Sequence, residues 1–325
     1  MLAPLRKYHH LLLAVSGGAD SLGMMALTAA WAQAQGSEAP RLSVATVNHG
    51  LRPEGAEEAA YVAELAKSVG LDHTTLVWLD QKPSTGLQEA AREARYGLLK
   101  AHSQKMDADA VVLAHHLEDQ SETVLMRLCA GSGLSGLAGM SEIVDWKRVV
   151  LLRPFLSLSG ARLRATAEAV GWQPMEDPSN QKKQFTRVRF RQAANILKSE
   201  GLDAQRVGRF AERMKRADIA LERSVDRAIS ASKLPDPLGI SCAATLLEEP
   251  DEIVLRVLTR SIKAMKTDFL PELSKLERVV EALLKARKER QTIRRTLGGV
   301  TISMDINGLI RMRLERPRGG AFPTR

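Results

Sequence analysis

Several short stretches of this 325-residue chain combine residue types and spacings that suit chemistry on an anion. The first is Ser16-Gly17-Gly18-Ala19-Asp20-Ser21, where the apolar run "LLLAV" gives way to a helical pattern. Two glycines there let successive backbone N–H groups approach a phosphate, and the start of a helix adds a favourable dipole. Ser16 and Ser21 offer hydroxyl donors, and Asp20 can hold a magnesium ion beside phosphates. No lysine follows the glycines, which excludes the GxxxxGK(S/T) loop, and the spacing excludes GxGxxG as well. The alternative is a tight strand-to-helix turn capped by Asp20 or Ser21. A second cluster, "VNHGLRPEGAEEAAYV", presents Asn48, His49 and Arg52, although His49 taken alone reads as a helix cap. In "LQEAAREARYGLL", Arg92 and Arg95 share a helical face with Glu89 and Glu93 nearby, a pattern that an exposed ion-pair ladder also explains. The most specific cluster runs from His115 to Thr123: His115, Asp119 and Glu122 are spaced to converge on the edge that carries the glycine turn. His115 and Asp119 also have a metal-binding spacing, but no cysteine or further histidine cluster completes a site. Two histidines and three carboxylates are too many polar groups for an ordinary strand-to-helix turn. Finally, "KKQFTRVRFR" (182–191) interleaves Phe185 and Phe190 with five basic residues, Arg187 and Arg189 among them. That pattern suits phosphate contacts with base stacking, or an amphipathic helix whose phenylalanines enter the core; the second reading is preferred for the two rings.

Such clusters need a scaffold that brings them to one edge. Strand-type runs at 9–16, 41–48, 73–79 and 108–116 alternate with helical patterns at 19–35, 54–69, 87–106 and 118–128. Four β–α units in succession imply an α/β fold, a parallel sheet with helices on both faces. Ligands bind at the carboxyl ends of such strands, and each cluster follows a strand. A glycine-rich stretch (130–140) ends the series, "RPFLSLSGARLRATAEAVG" reads as a capped amphipathic helix, and "EDPSN" (176–180) reads as turns. From about residue 200 the reading is arginine-rich helices without intervening strands, at 202–230, 250–265 and 271–288, broken at "KLPDPLG" and "DFLPE". Residues 290–314, with GlyGly and AsnGly turn signals, read as a small β-meander, and the tail beyond as loose.

Charge separates the chain further. Residues 1–150 hold 13 Lys+Arg against 17 Asp+Glu, a net −4, whereas residues 151–325 hold 34 against 21, a net +13. The basic half suits a polyanion, or else a set of solvated helices. Cys129 and Cys242 form no CxxC motif, which argues against a disulfide framework or cysteine-ligated metal and fits a reducing cytoplasm. The "LLLAV" run is too short for a signal-peptide core, and no stretch reaches the roughly 20 apolar residues of a membrane helix.

SGGxDS after a first strand resembles the pyrophosphate (PP) loop of the ATP-pyrophosphatase superfamily, whose members cleave ATP between its α and β phosphates to adenylate a substrate oxygen. The ordered series VNHGLRPE, AAREARY, HHxxDQxET, GSGLSGLAGM, RPFL and EDPSN with a downstream RxRxR is similar to the tRNA(Ile)-lysidine synthetase family over roughly residues 10–198. The resemblance implies a Rossmann-like PP-loop catalytic domain over 1–198, with a linker helix at about 155–198, and a helical tRNA-binding domain over 199–325. It implies ATP and magnesium as cofactors, and free L-lysine and tRNA(Ile) with a CAU anticodon as partners, with a homodimer left open. Residue by residue, it implies that Ser16 to Ser21 form the ATP loop with Asp20 toward magnesium, flanked by Asn48 and His49. Arg95 matches an arginine on the activated nucleotide, and His115 a histidine that serves catalysis of the second half-reaction or the grip on ATP. Asp119 and Glu122 match the acidic pair that receives lysine, and Arg187 an arginine at the mouth of the site; Arg92 and Arg189 join the substrate contacts. Glu118 departs from the family's usual Asp and Val188 from its usual Asn. A lysine amine with a pKa near ~10.4 must lose a proton before attack; Asp119 can accept it, or can merely bind the α-amino group. A thiolating relative is disfavoured because the two cysteines form no pair. A small-molecule amide synthetase would leave the basic half without a task, and an RNA-binding protein with a degenerate loop is at odds with the intact SGGxDS.

Overall fold

The computed structural model describes residues 1–146, 149–175, 186–265 and 272–315, apart from the side chains of residues 186–188, 192 and 195. It divides into two compact units, Met1–Gly131 with Gly136–Glu212, and Ser132–Ser135 with Arg213–Arg325.

In the first unit, β1 (His10–Ala14), α1 (Ala19–Gln35), β2 (Arg41–Asn48), α2 (Gly55–Ser68), β3 (Asp72–Val77), α3 (Leu87–Lys105), β4 (Ala110–Val112) and α4 (Leu117–Cys129) follow the expected alternation. After them come a single helical turn, α5 (Leu134–Leu137), and a hairpin, β5 (Ile143–Trp146) and β6 (Val149–Leu152). Two further helices are α6 (Gly160–Ala169) and α7 (Thr186–Ser199). The sheet order is β3-β2-β1-β4-β6-β5, parallel except for the antiparallel edge strand β5. Strand β1 is buried on both faces, which is why its sequence is a continuous apolar run rather than an alternating one. Leu11, Leu13 and Val15 pack toward α1, α2 and α6, while Leu12 and Ala14 pack with Leu99 of α3 on the other face. The helices therefore cover both sides, as the sequence implied.

Three local expectations need correction. The fourth strand ends at Val112, because the chain must turn to bring the histidines to the start of α4. The β5–β6 hairpin lies where only a glycine-rich stretch and a helix were expected: its strands are four residues each, and pairing with β4 rather than local pattern stabilises them. The helix of "RPFLSLSGARLRATAEAVG" begins only at Gly160, after Ser159 in extended conformation.

The second unit contains most of α8 (Ala204–Ser232), then β7 (Lys233–Leu234), β8 (Ile240–Cys242), α9 (Asp251–Ala264), α10 (Leu273–Lys288), β9 (Ile293–Leu297), β10 (Val300–Met304) and β11 (Ile310–Leu314). The expected meander is present, and Gly298 and Gly299 both take positive φ (58° and 72°), as a two-residue hairpin turn requires. Contrary to the strand-free reading of the helices, β7 and β8 separate α8 from α9 and extend the meander to β7-β8-β11-β10-β9. Two-residue and three-residue strands leave almost no periodic signal. Val225, Val254, Leu258, Leu276, Leu283, Ile302 and Met312 form one core beneath this sheet. Buried Arg256 joins α9 to α8 through Asp218 and Glu222, each at 2.7 Å, and Arg260 pairs with Glu222 and Asp226. These two arginines are held by intramolecular carboxylates. Among the described residues no helix is long and apolar enough to cross a membrane. "EDPSN", the first half of "KKQFTRVRFR" with Phe185, and the tail from residue 316 lie outside the described residues.

Candidate active site

Parallel β1 and β4 are neighbours, with Leu13 registered against Val112, while β2 and β3 extend to one side and β6 to the other. This is the point where the strand order reverses, and loops leaving the carboxyl ends of adjacent strands diverge there to open a crevice. The loop after β1 is the glycine turn; the loop after β4 is the histidine–carboxylate turn.

The glycine turn is held in shape by Ser21 and by the chain at Met175. Gly17 has φ +88°, a conformation that L side chains resist, and its carbonyl accepts the Met175 N–H at 3.0 Å. Ser21 Oγ donates to the Gly18 carbonyl (2.9 Å) and accepts the Ser16 N–H (3.1 Å), with Ser16 Oγ 3.2 Å away. Gly18 is the N-cap of α1 and Ala19 its first residue, so the turn delivers the unpaired amides of a helix start at the sheet edge. Ser16 remains exposed. An anion fits such a turn by charge and by donor type.

Asp20, one residue into α1, reaches across to the other loop. His116 Nε2 lies 3.3 Å from Asp20 Oδ2 and 3.5 Å from Asp119 Oδ2, and His116 Nδ1 lies 2.9 Å from Glu118 Oε2. Burial alone would lower this imidazole, but the bonds to Asp20 and Glu118 and the charge of Asp119 outweigh burial and push it up to about 10. Glu118 shows the reciprocal effect: burial would raise it, yet bonds from His116 and the Gly160 N–H hold it at about 2. His116 is thus an imidazolium at neutral pH. It is also the N-cap of α4, whose N3 residue Asp119 accepts the His116 N–H at 3.1 Å. Gly160 closes this corner, since a Cβ there would meet His116 Nε2 at 3.1 Å and Asp20 Oδ1 at 3.2 Å.

One turn further along α4, buried Glu122 shares a cation with Asp119. Arg191, from α7, donates through Nε to Glu122 Oε1 at 2.6 Å and places its terminal nitrogen 3.6 Å from Asp119 Oδ1. Arg95 of α3 is lowered by burial and by the charge of Arg92, while Tyr96 and Asp119 act in the opposite sense, so Asp119 and Arg95 sense each other's field. His49 is lowered by burial and then by the charges of Arg95 and Lys82, and its ring packs edge-on to Trp78. Asn48 holds the turn into α2 by accepting the Gly50 N–H at 2.9 Å.

The sequence-derived residues therefore gather as follows. Ser16 to Ser21, Asp119 and Glu122 come together at one crevice, and Arg95 lies within electrostatic reach of both Asp119 and His49. Arg92 is exposed and lies over the Tyr96 ring at 5.1 Å. His115 is half-buried immediately before the N-cap. Arg189 is exposed on α7; the side chain of Arg187, and that of Val188, lie outside the described residues. Sequence reasoning gave no role to two residues that the geometry brings into the cluster, His116 and Arg191. The signals were present: His116 precedes Asp119 by three residues, an N-cap-to-N3 spacing, and Arg191 stands at i+4 from Arg187.

A PP-loop domain family model matches residues 1–198. Over 317 residues the chain is 44% identical to a tRNA(Ile)-lysidine synthase of Methylobacterium sp. (strain 4-46), covering 94% of this chain and 89% of that protein. It is 43% identical over 310 residues to a tRNA(Ile)-lysidine synthase of Rhodopseudomonas palustris, covering 92% and 89%. Among solved structures, the fold is similar to that of a U34-tRNA thiolase from Methanococcus maripaludis. The TM-score is 0.54 at 17% identity, over 63% of this chain and 72% of that one, a likeness of fold alone.

Proposed function

The chain belongs to the tRNA(Ile)-lysidine synthase family, and from that premise we propose how its residues divide the reaction. The enzyme uses ATP to adenylate the C2 oxygen of the wobble cytidine in the CAU anticodon of tRNA(Ile), releasing pyrophosphate. Free lysine then attacks C2 and AMP departs, leaving lysidine.

One observation carries the division of labour: Asp20 of the glycine turn and Asp119 of the acidic turn share the His116 imidazolium, at 3.3 and 3.5 Å. An anion cradle and a cation-accepting pocket therefore lie edge to edge, which a reaction joining a nucleotide to an amine demands. Ser16 to Ser21 hold the phosphates, and Asn48, His49 and Arg95 flank the nucleotide. Arg95 is a fixed charge facing the developing negative charge, in a half-buried position where such a charge acts strongly. Asp119 and Glu122 hold the incoming amine, with His115 beside them, and Arg92, Arg187 and Arg189 contact the substrates at the mouth. His116 keeps Asp20 and Asp119 in register by remaining charged.

Among the described residues no group of three or more His, Cys, Asp or Glu side chains is arranged to hold a metal by itself. Asp20 suits magnesium in the way that ion is commonly bound, by one carboxylate together with phosphate oxygens and water. Magnesium, when bound, neutralises phosphate charge. tRNA binding is supported by the exposed Arg213, Arg216, Arg223 and Arg227 at helical spacing on α8. A thiolating reaction is not favoured: the curated relatives are lysidine synthases, and Cys129 and Cys242 are both free thiols.

Transfer of radiolabelled lysine to an unmodified CAU-anticodon tRNA(Ile) transcript, dependent on ATP and magnesium, is the test. Asp119→Ala abolishes transfer while leaving tRNA affinity within about threefold. Pyrophosphate release to some other acceptor without label transfer would refute the reading.

A further inference from the structure

We propose that the main-chain N–H of Met175 clamps the glycine turn and aims the Gly18 N–H at the phosphates of ATP, which makes Met175 a positioning residue for the nucleotide. It acts through its backbone rather than its side chain. This inference rests on the proposed function above, in which Ser16 to Ser21 hold the phosphates.

The geometry of one peptide unit carries the argument. The Gly17 carbonyl accepts the Met175 N–H at 3.0 Å, and that carbonyl belongs to the peptide joining Gly17 to Gly18. Among the described residues no peptide bond is cis. In a planar trans peptide the C=O and the N–H point in opposite directions. Holding the Gly17 oxygen toward Met175 therefore turns the Gly18 N–H to the far side of the turn. That N–H has no acceptor among the described residues, and neither have those of Gly17, Ala19 and Asp20. Successive amides left open in this way are the donors an anion takes. Two adjacent glycines do not fix the peptide between them by their own preference, because glycine reaches positive φ as readily as negative. Gly17 sits at φ +88°, so an outside contact has to select this orientation.

The segment that carries this N–H is itself fixed. It follows α6 and belongs to no helix or strand. Trp172 is buried in the core that holds Leu11 and Leu163, and its N–H donates to the Ala167 carbonyl at 3.0 Å. The Gln173 N–H donates to the Tyr61 hydroxyl of α2 at 3.1 Å. Pro174 has no N–H, and its ring restricts φ. Every main-chain donor from Trp172 to Met175 is thus engaged, and the last is engaged by the glycine turn. The Met175 side chain does less. A Cβ added at Gly17 would lie 3.7 Å from Met175 Sδ and 3.5 Å from Val62 Cγ2, ordinary contact distances that do not dictate the orientation of the peptide. The hydrogen bond does dictate it.

The test follows lysine transfer to the tRNA transcript while ATP, lysine and tRNA are varied in turn, with inorganic pyrophosphate as inhibitor. Met175→Pro, which removes the N–H, is expected to raise the KM for ATP and the inhibition constant of pyrophosphate by about 10-fold each, with the KM values for lysine and tRNA changed less than about threefold. Met175→Ala keeps the N–H and stays within about twofold of wild type in all of them. Replacing Met175 by its α-hydroxy acid puts an ester oxygen in place of the N–H and keeps the side chain. It reproduces the Met175→Pro pattern, and it decides the matter alone if the proline variant does not fold. An unchanged KM for ATP in the forms without the N–H would overturn the proposal. So would equal losses for ATP, lysine and tRNA, or a Met175→Ala variant as impaired as Met175→Pro. These failures are distinct from failure of the functional reading, in which wild-type protein would transfer no lysine at all.

Discussion

At the scale of single residues, adjacent histidines show how little a residue type says about its task. His115 and His116 are equivalent in composition and nearly so in spacing to Asp119. The backbone at His116, φ −125° and ψ −174° at the helix N-cap, brings that imidazole to Asp20 and Glu118. Nothing in the local pattern announces this, because Asp20 is 96 residues away in sequence. The consequence is measurable. With its folded value near 10 and an unfolded value near 6.5, His116 contributes stability that is fully present below pH 6.5 and is lost as the pH rises through 10. His116→Gln is therefore less stable than wild type by a margin that is widest below pH 6.5 and closes toward pH 10, as thermal unfolding without nucleotide or metal across that range will read.

At the scale of elements, the sequence reads well where an element is long and buried on a known face. Helix α1 and strand β2 appear at the residues expected, since each is continuous and bounded by glycine or a polar turn. The β5–β6 hairpin and β7–β8 do not, because strands of two to four residues owe their existence to partners distant in sequence. Glycine has a similar double meaning inside helices. Gly23 permits α1 to approach α6 so closely that a Cβ would stand 2.1 Å from the Leu163 carbonyl oxygen, while a Cβ on Gly97 of α3 would meet nothing within 4 Å. Gly23→Ala is expected to cost about 3 kcal/mol through forced separation of the two helices, and Gly97→Ala to add up to about 1 kcal/mol through helix propensity. Urea midpoints at unchanged m-value will compare the pair, and opposite signs are the expected outcome.

At the scale of the whole molecule, the charge imbalance of −4 against +13 is a property of composition, and by itself it suits either a polyanionic partner or a set of solvated helices. Which cations meet that partner is a different matter. Arg256 and Arg260 are engaged by Asp218, Glu222 and Asp226, whereas Arg216 and Arg223 are exposed on α8. Replacing both Arg216 and Arg223 by Ala is expected to weaken tRNA binding and to reduce the slope of log affinity against log salt by about 1.5 to 2, with ATP-dependent chemistry at saturating tRNA retained. An unchanged slope would remove α8 from the RNA-binding surface. By itself the sequence determined the alternation of strands and helices, the glycine turn and the acidic cluster, because burial periodicity and turn chemistry act between near neighbours. Only the tertiary structure decided that β1 and β4 lie side by side, and with that the meeting of Asp20, His116, Asp119 and Arg191. Strand order is set by packing over distances of a hundred residues, and no local pattern encodes it.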